Sequence, residues 1–377
     1  MSVIVRGGAS ATISGSSSKG FPPGDVTSIS STVNNGRVLI KWSDPKDTVV
    51  DGTTISAWKG TLLIRNADHY PESIKDGDVV LDNTTRDKYK NTWYTDSGLT
   101  NNHKYYYRFF PYNTAKVYND SSNLIFAAIP LSFAPTLKDN TWEQIKAASE
   151  GDAIPSTWKV GDEINITLSG TFNETVTLQI WDFKHFDKSD GSGKAGIVFG
   201  MKNLMKDVQY MNSSNTNSGG WNDTAMKKTV MANILKSMPS NLQSYIKEVN
   251  TYASMGGGSS SSNAGKLSKD KVFLPGDTEV YDRWSSQAVT ESNQKKFPIF
   301  TDNNSRIKKM NNGSGDASMW WTRSPFCSSY NGFCGVNYDG DAGYNNNSYF
   351  CNVNSDGFAS GGSNASYDYG VCFCFCI

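Results

Sequence analysis

Between Ser324 and Ile377 the chain contains no Lys, Arg, Glu, Gln, His, Thr, Leu, Met or Trp, although charged residues make up about a quarter of an ordinary globular chain. What remains is Asn, Asp, Ser, Gly, Tyr, Phe and Cys on a thin frame of Val, Ala, Pro and Ile. Few of these residues can build a core, so order in the segment must come from its Phe, Val and Cys positions. Tyr, Ser, Gly and Asn are left for the surface. Tyrosine supplies large, rigid, amphipathic contact area and the small polar residues supply adaptable hydrogen bonds, the composition of antibody paratopes.

An internal repeat separates frame from display. FCGVNYDGDAGYNNN (333–347) recurs as FCNVNSDGFASGGSN (350–364), keeping Phe, Cys, Val, Asn, Asp-Gly and Ala. The kept residues describe a strand, an Asp-Gly turn and a returning strand, so sheet geometry is held while other positions change. The changing pairs are Gly335/Asn352, Tyr338/Ser355, Asp341/Phe358, Gly343/Ser360, Tyr344/Gly361, Asn345/Gly362 and Asn346/Ser363. Phe333, Val336, Phe350, Val353, Val371, Phe373 and Phe375 are expected to hold the scaffold. Asn, Asp, Ser, Gly, Tyr, Cys and Phe are all reached by replacing the adenines of an Asn codon, whereas Lys, Glu, Gln, Met and Trp are not when the third base is a pyrimidine. The segment carries the mark of mutagenesis at adenine.

Conventional catalytic and metal chemistry finds little support. GSGKAG (191–196) matches a dinucleotide fingerprint, but the following IVFGM reads as a strand where phosphate binding needs a helix N-terminus. With only His69, His103 and His185, no triad or histidine metal cluster assembles from the sequence. His185 beside Asp182 and Asp187 reads as a polar strand-end turn. Asn337, Asp339 and Asp341 offer oxygens of the kind calcium uses, without the later glutamate a hand-like loop needs. Cys372, Cys374 and Cys376 alternate with Val371, Phe373, Phe375 and Ile377. In a strand that period fans three sulfurs along one face instead of converging them on a metal. All six cysteines lie from Cys327 onward, not spread as in a secreted disulfide scaffold, and are expected to be mostly free thiols. No cofactor and no metal are expected.

Upstream, 377 residues suggest two or three domains. Lys+Arg and Asp+Glu balance at 36 each, so the net charge favours neither nucleic acid nor an anionic membrane. No apolar run is long enough to insert in a bilayer, and residues 1–24 lack the apolar core of a signal peptide, so folding in a bacterial cytoplasm is expected. Those residues are small and polar and read as a flexible arm. Residues 25–130 read as short strands and turns, with VLIKW (38–42), TLLIR (61–65) and YYYRFFPY (105–112) alternating. Leu99, six residues before Tyr105, has tyrosine-corner spacing, in which the phenol ties back to the preceding turn. A third segment, 136–377, opens with a capping box at Thr141 before WEQIKAAS. EINITL and ETVTLQIWDF alternate as strands within it. Asp223 is expected to head a helix with Met226, Val230 and Ile234 on one face, and Ser240 to Gln243 to cap a second helix running towards Val249. MGGGSSSSNAG (255–265) reads as a low-complexity loop.

Residues 25–130, with SDPKDTVVDG, DSGL and FFPYN, resemble the fibronectin type III modules of gut phage tail proteins. WWTRSP (320–325), FCNVNSDG (350–357) and GVCFCFCI (370–377), with the 212–235 stretch, are similar to variable proteins of diversity-generating retroelements, a group that includes phage major tropism determinants. The resemblance implies an all-β Ig-like sandwich followed by an α+β, C-type lectin-like domain with a mixed sheet, two main helices and many loops. Its variable region, about 324–377, would form the ligand-binding face. Besides the changing pairs, the implied ligand-binding positions include Phe326, Cys327, Ser329, Tyr330, Tyr349, Asn364, Tyr367, Asp368 and Tyr369. Cys372 and Cys374 stand where the family carries small residues and are counted among the diversified positions, whereas Cys334, Cys351 and Cys376 match the frame.

The expected function is binding, not catalysis: a phage tail or virion tropism determinant, or else a bacterial surface adhesin of the same fold. Its partners would be a host-cell surface or mucosal protein or glycan and, through the N-terminal region, other virion tail proteins. A homo-oligomer would add avidity. The rival from another class, a glycan-active enzyme with an accessory module, would need two carboxylates in one cleft.

Overall fold

A computed structural model describes residues 20–151, 153–256, 266–281, 294–325 and 348–377. The described chain is mostly β-strand, in several sheets, with few helices. It divides into two compact units after Ser132.

In the first unit, strands β1 (Thr27–Asn34), β2 (Arg37–Ser43), β3 (Thr48–Val50), β4 (Thr53–Ser56), β5 (Trp58–Asn66), β6 (Asp78–Asn83), β7 (Tyr94–Ser97), β8 (Tyr105–Asn113) and β9 (Ile125–Ala128) are all antiparallel. They form sheets in the order β1-β2-β7 and β6-β5-β8-β9, with β3-β4 as a separate ribbon. The alternation of VLIKW puts Val38, Ile40 and Trp42 into one core with Leu63, Tyr107 and Phe109 from the other sheet. The opposite faces of β5 and β8 are covered as well, Leu62, Ile64, Phe110 and Tyr112 forming a second cluster. The Trp42 indole N–H donates to the buried carboxylate of Asp44 at 2.9 Å. Asp44 also accepts from Thr61, Asn83 and the Asp87 N–H, so the buried charge is fully bonded. The Tyr105 hydroxyl accepts from the Thr100 N–H at 3.1 Å, the tie-back that the Leu99–Tyr105 spacing implies.

The second unit is built on β10 (Glu163–Leu168), β11 (Glu174–Phe183) and β12 (Ile197–Met201). Smaller elements follow: β13 (Gln209–Tyr210), β14 (Val249–Ala253), β15 (Lys266–Asp270) and β16 (Val272–Phe273). The last strands are β17 (Trp320–Pro325), β18 (Tyr349–Val353), β19 (Ala359–Asn364), β20 (Asp368–Tyr369) and β21 (Cys374–Cys376). The main sheet runs β10-β11-β12-β21-β16, so the terminal strand lies inside it. A second sheet runs β17-β18-β19. The expected mixed sheet is corrected: every strand pairing among the described residues is antiparallel, and parallel register is confined to the isolated bridges Leu204–Met310 and Trp320–Gly370.

Helix α1 (Trp142–Glu150) starts where its capping box dictates: the Thr141 hydroxyl accepts from the Gln144 N–H, and the Gln144 side chain returns to the Thr141 N–H. Met226, Val230 and Ile234 are buried as their spacing requires. Their helix begins as a π-helical turn (Met226–Met231) and continues as α2 (Ala232–Ser237). Its leading cap is the Thr224 hydroxyl, which accepts from the Lys227 N–H at 3.0 Å, while Asp223 belongs to a preceding 3₁₀ turn. The Ser240 cap does not form. Helix α3 (Ser240–Tyr245) follows Pro239 without a side-chain cap, because Ser240 is already its first helical residue and the Gln243 N–H donates to the Pro239 carbonyl at 3.0 Å. It stops four residues before Val249, which is taken by β14. Two short helices, α4 (Asp277–Tyr281) and α5 (Asn303–Arg306), complete the described structure.

Candidate functional site

The foundation of the candidate site is β17, all six of whose residues are buried. Trp320 and Trp321 are fully covered, and their indole N–H groups donate to the carbonyls of Arg306 and Gln209. Arg323 is the last cation before the cation-free segment. Its guanidinium grips Glu279 of α4 with two bonds of 2.7 Å, and both side chains are wholly enclosed. The carboxylate also accepts from the Gly276 N–H, and the guanidinium donates to the carbonyls of Leu274 and Tyr252. A buried ion pair survives only with such a complete set of partners.

On this base lies the β18–β19 hairpin. Phe350 and Val353 point into the core with no exposed surface. At the tip the Gly357 N–H donates to the Asn354 carbonyl and the Asn354 N–H to the Phe358 carbonyl. Gly357 sits at φ +83°, and a Cβ there would meet the Asn303 carbonyl oxygen at 1.9 Å. The glycine that the repeat keeps is therefore a backbone requirement. Ser355 and Phe358 are exposed beside it, Phe358 by 58%. After β19 the chain turns at Asn364–Tyr367, and Ser366 is tied to the Asn215 side chain. Tyr367 (51% exposed) and Asp368 face solvent. Tyr369 is half-buried, its ring 4.8 Å from that of Trp321.

Of the sequence-derived ligand positions, the hairpin and the following turn bring together Ser355, Phe358, Tyr367 and Asp368 at the surface, with Gly362 and Asn364 partly exposed on β19. Tyr349, Ser360 and Gly361 lie on the hairpin strands. Phe326, Cys327, Ser329, Tyr330, Gly335, Tyr338, Asp341, Gly343, Tyr344, Asn345 and Asn346 lie outside the described residues, as do Phe333, Cys334, Val336, Asn337 and Asp339. Three expected positions are corrected. Asn352 is wholly buried, with its amide donating to the Ser363 hydroxyl at 2.7 Å across the hairpin. Cys372 and Cys374 are wholly buried too. The resemblance to family endings with small residues places them among the diversified positions, but the terminal strand is interior and covered on both faces, so the sulfur row is core like the phenylalanine row.

Burial pushes the thiol pKa up at Cys372, Cys374 and Cys376, at Cys372 against the opposing charge of Lys308. Lys308 is itself enclosed, its own pKa lowered by burial. Its ammonium donates to the carbonyls of Met201 and Lys202 and lies over the rings of Trp181, Phe300 and Trp320. We expect iodoacetamide to leave Cys372, Cys374 and Cys376 unmodified in the folded protein and to alkylate all three in denaturant. Peptide mass spectrometry reads both states, and native adducts at these positions would contradict their burial.

Sequence reasoning missed Glu279, Arg323 and Lys308. The available signal was Arg323 itself, a lone cation at the edge of a segment that excludes them. His185 and Asp182 do pair, Nδ1 to Oδ2 at 2.7 Å, but in a packed setting with Phe186 and Phe297 against the imidazole. GSGKAG forms a turn with Gly191 and Gly193 at positive φ, leading into β12. No group of three or more metal-ligating side chains occurs among the described residues.

A protein-family model described as a domain of unknown function, DUF6273, matches residues 196–377. No curated protein matches the chain. Among solved structures, the Clostridium perfringens spore cortex lytic enzyme SleM is similar at 10% identity and a TM-score of 0.19, over 29% of this chain and 28% of that one. A likeness at that level carries neither fold nor function.

Proposed function

We propose that this chain is a ligand-recognition protein whose terminal segment, about 324–377, is a diversified binding face held on a fixed backbone. The observation that carries the reading is the division of labour within the second repeat. Its constant Phe350, Cys351, Val353 and Gly357 are buried, while its changing Ser355 and Phe358 are exposed. Two residues depart from this division: the changing Asn352 is buried and braces the hairpin, and the kept Asp356 is exposed at the turn, where its carboxylate accepts from the Phe358 N–H.

On this reading the first unit is a fibronectin type III-like spacer. Its three- and four-stranded sheets, the buried Trp42 and the Tyr105 tie-back support that assignment. The second unit is a C-type lectin-like head, and the protein is a tropism determinant of a phage tail, made as a variable protein of a diversity-generating retroelement. A cell-surface adhesin with the same head is the nearest rival. Binding is favoured over glycoside hydrolysis because two buried acids of the second unit, Glu279 and Asp270, are committed to structural donors. Glu279 holds Arg323, and Asp270 accepts from Trp221, Thr251 and Ser268 and pairs with Lys227.

Sequencing the gene's neighbourhood tests the proposal. A nearby reverse transcriptase gene and a near-copy of the terminal coding segment, differing at adenines, are expected. Their absence, together with an invariant terminal segment among sibling isolates, would overturn it.

A further inference from the structure

Away from the hairpin tip, a depression with a volume of about 180 Å³ opens between three fixed elements. One wall is the exposed side of the π-helical turn and α2, carrying Thr229 and Asn233 one turn apart. Another is β13, with Gln209 and Tyr210. The third is the β10–β11 turn, with Thr171 and Phe172. That turn is fixed to the helix where the Ser169 N–H donates to the Ser237 carbonyl at 2.8 Å. The turn and the helix are therefore braced before any ligand arrives.

The lining chemistry is selective. No charged residue contributes to it. Thr171, Gln209, Thr229 and Asn233 bring two hydroxyls and two amides, and none of these side chains makes a hydrogen bond within the described protein. Each amide both donates and accepts, and each hydroxyl does the same. The lining also holds two aromatic rings, Phe172 buried and Tyr210 41% exposed. A purely apolar ligand would strip water from four polar groups without replacing their bonds, and an ion would find no counter-charge. A ring with one C–H face and a fringe of uncharged hydroxyls satisfies both halves of the lining.

We propose that this depression is a binding site for a neutral pyranose, one sugar unit of a larger glycan. Tyr210 stacks on the sugar's apolar face, and Thr229, Asn233 and Gln209 bond its hydroxyls. The π-helical turn, a rare conformation that often accompanies functional sites, helps shape the wall. The lining residues all precede position 324, although β13 pairs with β20 of the terminal segment, Gln209 opposite Tyr369 and Tyr210 opposite Asp368.

Saturation-transfer difference NMR on the full chain tests it, with methyl glycosides of neutral hexoses and N-acetylhexosamines as probes and a glucuronide as the anionic control. At least one neutral glycoside is expected to receive saturation, the glucuronide none. Calorimetric titration of that glycoside should weaken at least tenfold in Tyr210→Ala and in Asn233→Leu, and remain unchanged in Phe358→Ala. Tyr210 is exposed, so Tyr210→Ala is expected to keep the native melting temperature; Gln209→Ala provides a second variant with the same readout. Failure of every neutral glycoside to bind, binding unaltered by Tyr210→Ala and Gln209→Ala, or binding abolished by Phe358→Ala would each overturn the site.

Discussion

Replacing Arg323 with Met is expected to lower the melting temperature of the second unit by roughly 6–20 °C, since breaking a buried pair costs about 3–5 kcal/mol and each kcal/mol shifts a domain of this size by about 2–4 °C. The reason is the carboxylate left behind. Glu279 has no exposed surface, and without the guanidinium it keeps the Gly276 N–H as its neutral donor. Charge burial at that level is removed by protonation or unfolding, not tolerated. The double variant Arg323→Met with Glu279→Leu removes both charges and should recover most of the loss. Differential scanning calorimetry separates the cases, with the first unit's transition as an internal reference, because multi-unit chains need not melt in one step. A single-variant shift under about 2 °C would mean that the pair contributes little. The placement matters for recognition: the pair clamps β17 one residue before the segment proposed to vary, so a changing surface would begin from a backbone that cannot follow it.

Strands β2, β5 and β8 were legible because apolar alternation is local information, and the Thr141 cap was legible because both its partners lie within three residues. The repeat was legible for a different reason. Phe350, Val353 and Gly357 each meet a requirement of the hairpin's core or turn, and the same pattern occurs a second time upstream. Cys372 and Cys374 were misjudged because the resemblance compared residue types at those positions, and residue type alone does not say which side chains the fold encloses. Only the packing of other elements on both faces of the terminal strand, which leaves Val371 to Ile377 without exposed surface, shows that the sulfurs are core. Asn352 was misjudged likewise, since its hydrogen bond to Ser363 depends on hairpin register. The Arg323–Glu279 pair spans 44 positions and Lys308 reaches carbonyls more than a hundred residues away, contacts that no local pattern encodes.

Exchanging Ser355, Phe358 and Tyr367 together for another set of small and aromatic residues is expected to change what the protein binds while leaving its melting temperature nearly fixed. Exposed positions without buried partners generally change stability by within about 0.5 kcal/mol each. At a binding surface the same aromatics are candidates for the few contacts that dominate affinity, where truncation costs about 2 kcal/mol or more, roughly thirtyfold in Kd. The opposite behaviour is expected one layer down. Phe350→Ala or Phe373→Ala removes a fully buried ring and should cost about 3–5 kcal/mol, with binding lost only as the fold is lost. Calorimetry paired with a binding screen over host-cell surface proteins and glycans reads both quantities on the same samples. A triple variant that keeps both its stability and its ligand profile would remove the terminal hairpin from the recognition surface. A triple variant that unfolds would show Phe358 and Tyr367 to be scaffold despite their exposure. The expected separation, stability carried by the residues the repeat keeps and specificity by those it changes, is the condition under which a single backbone can be re-aimed without being redesigned.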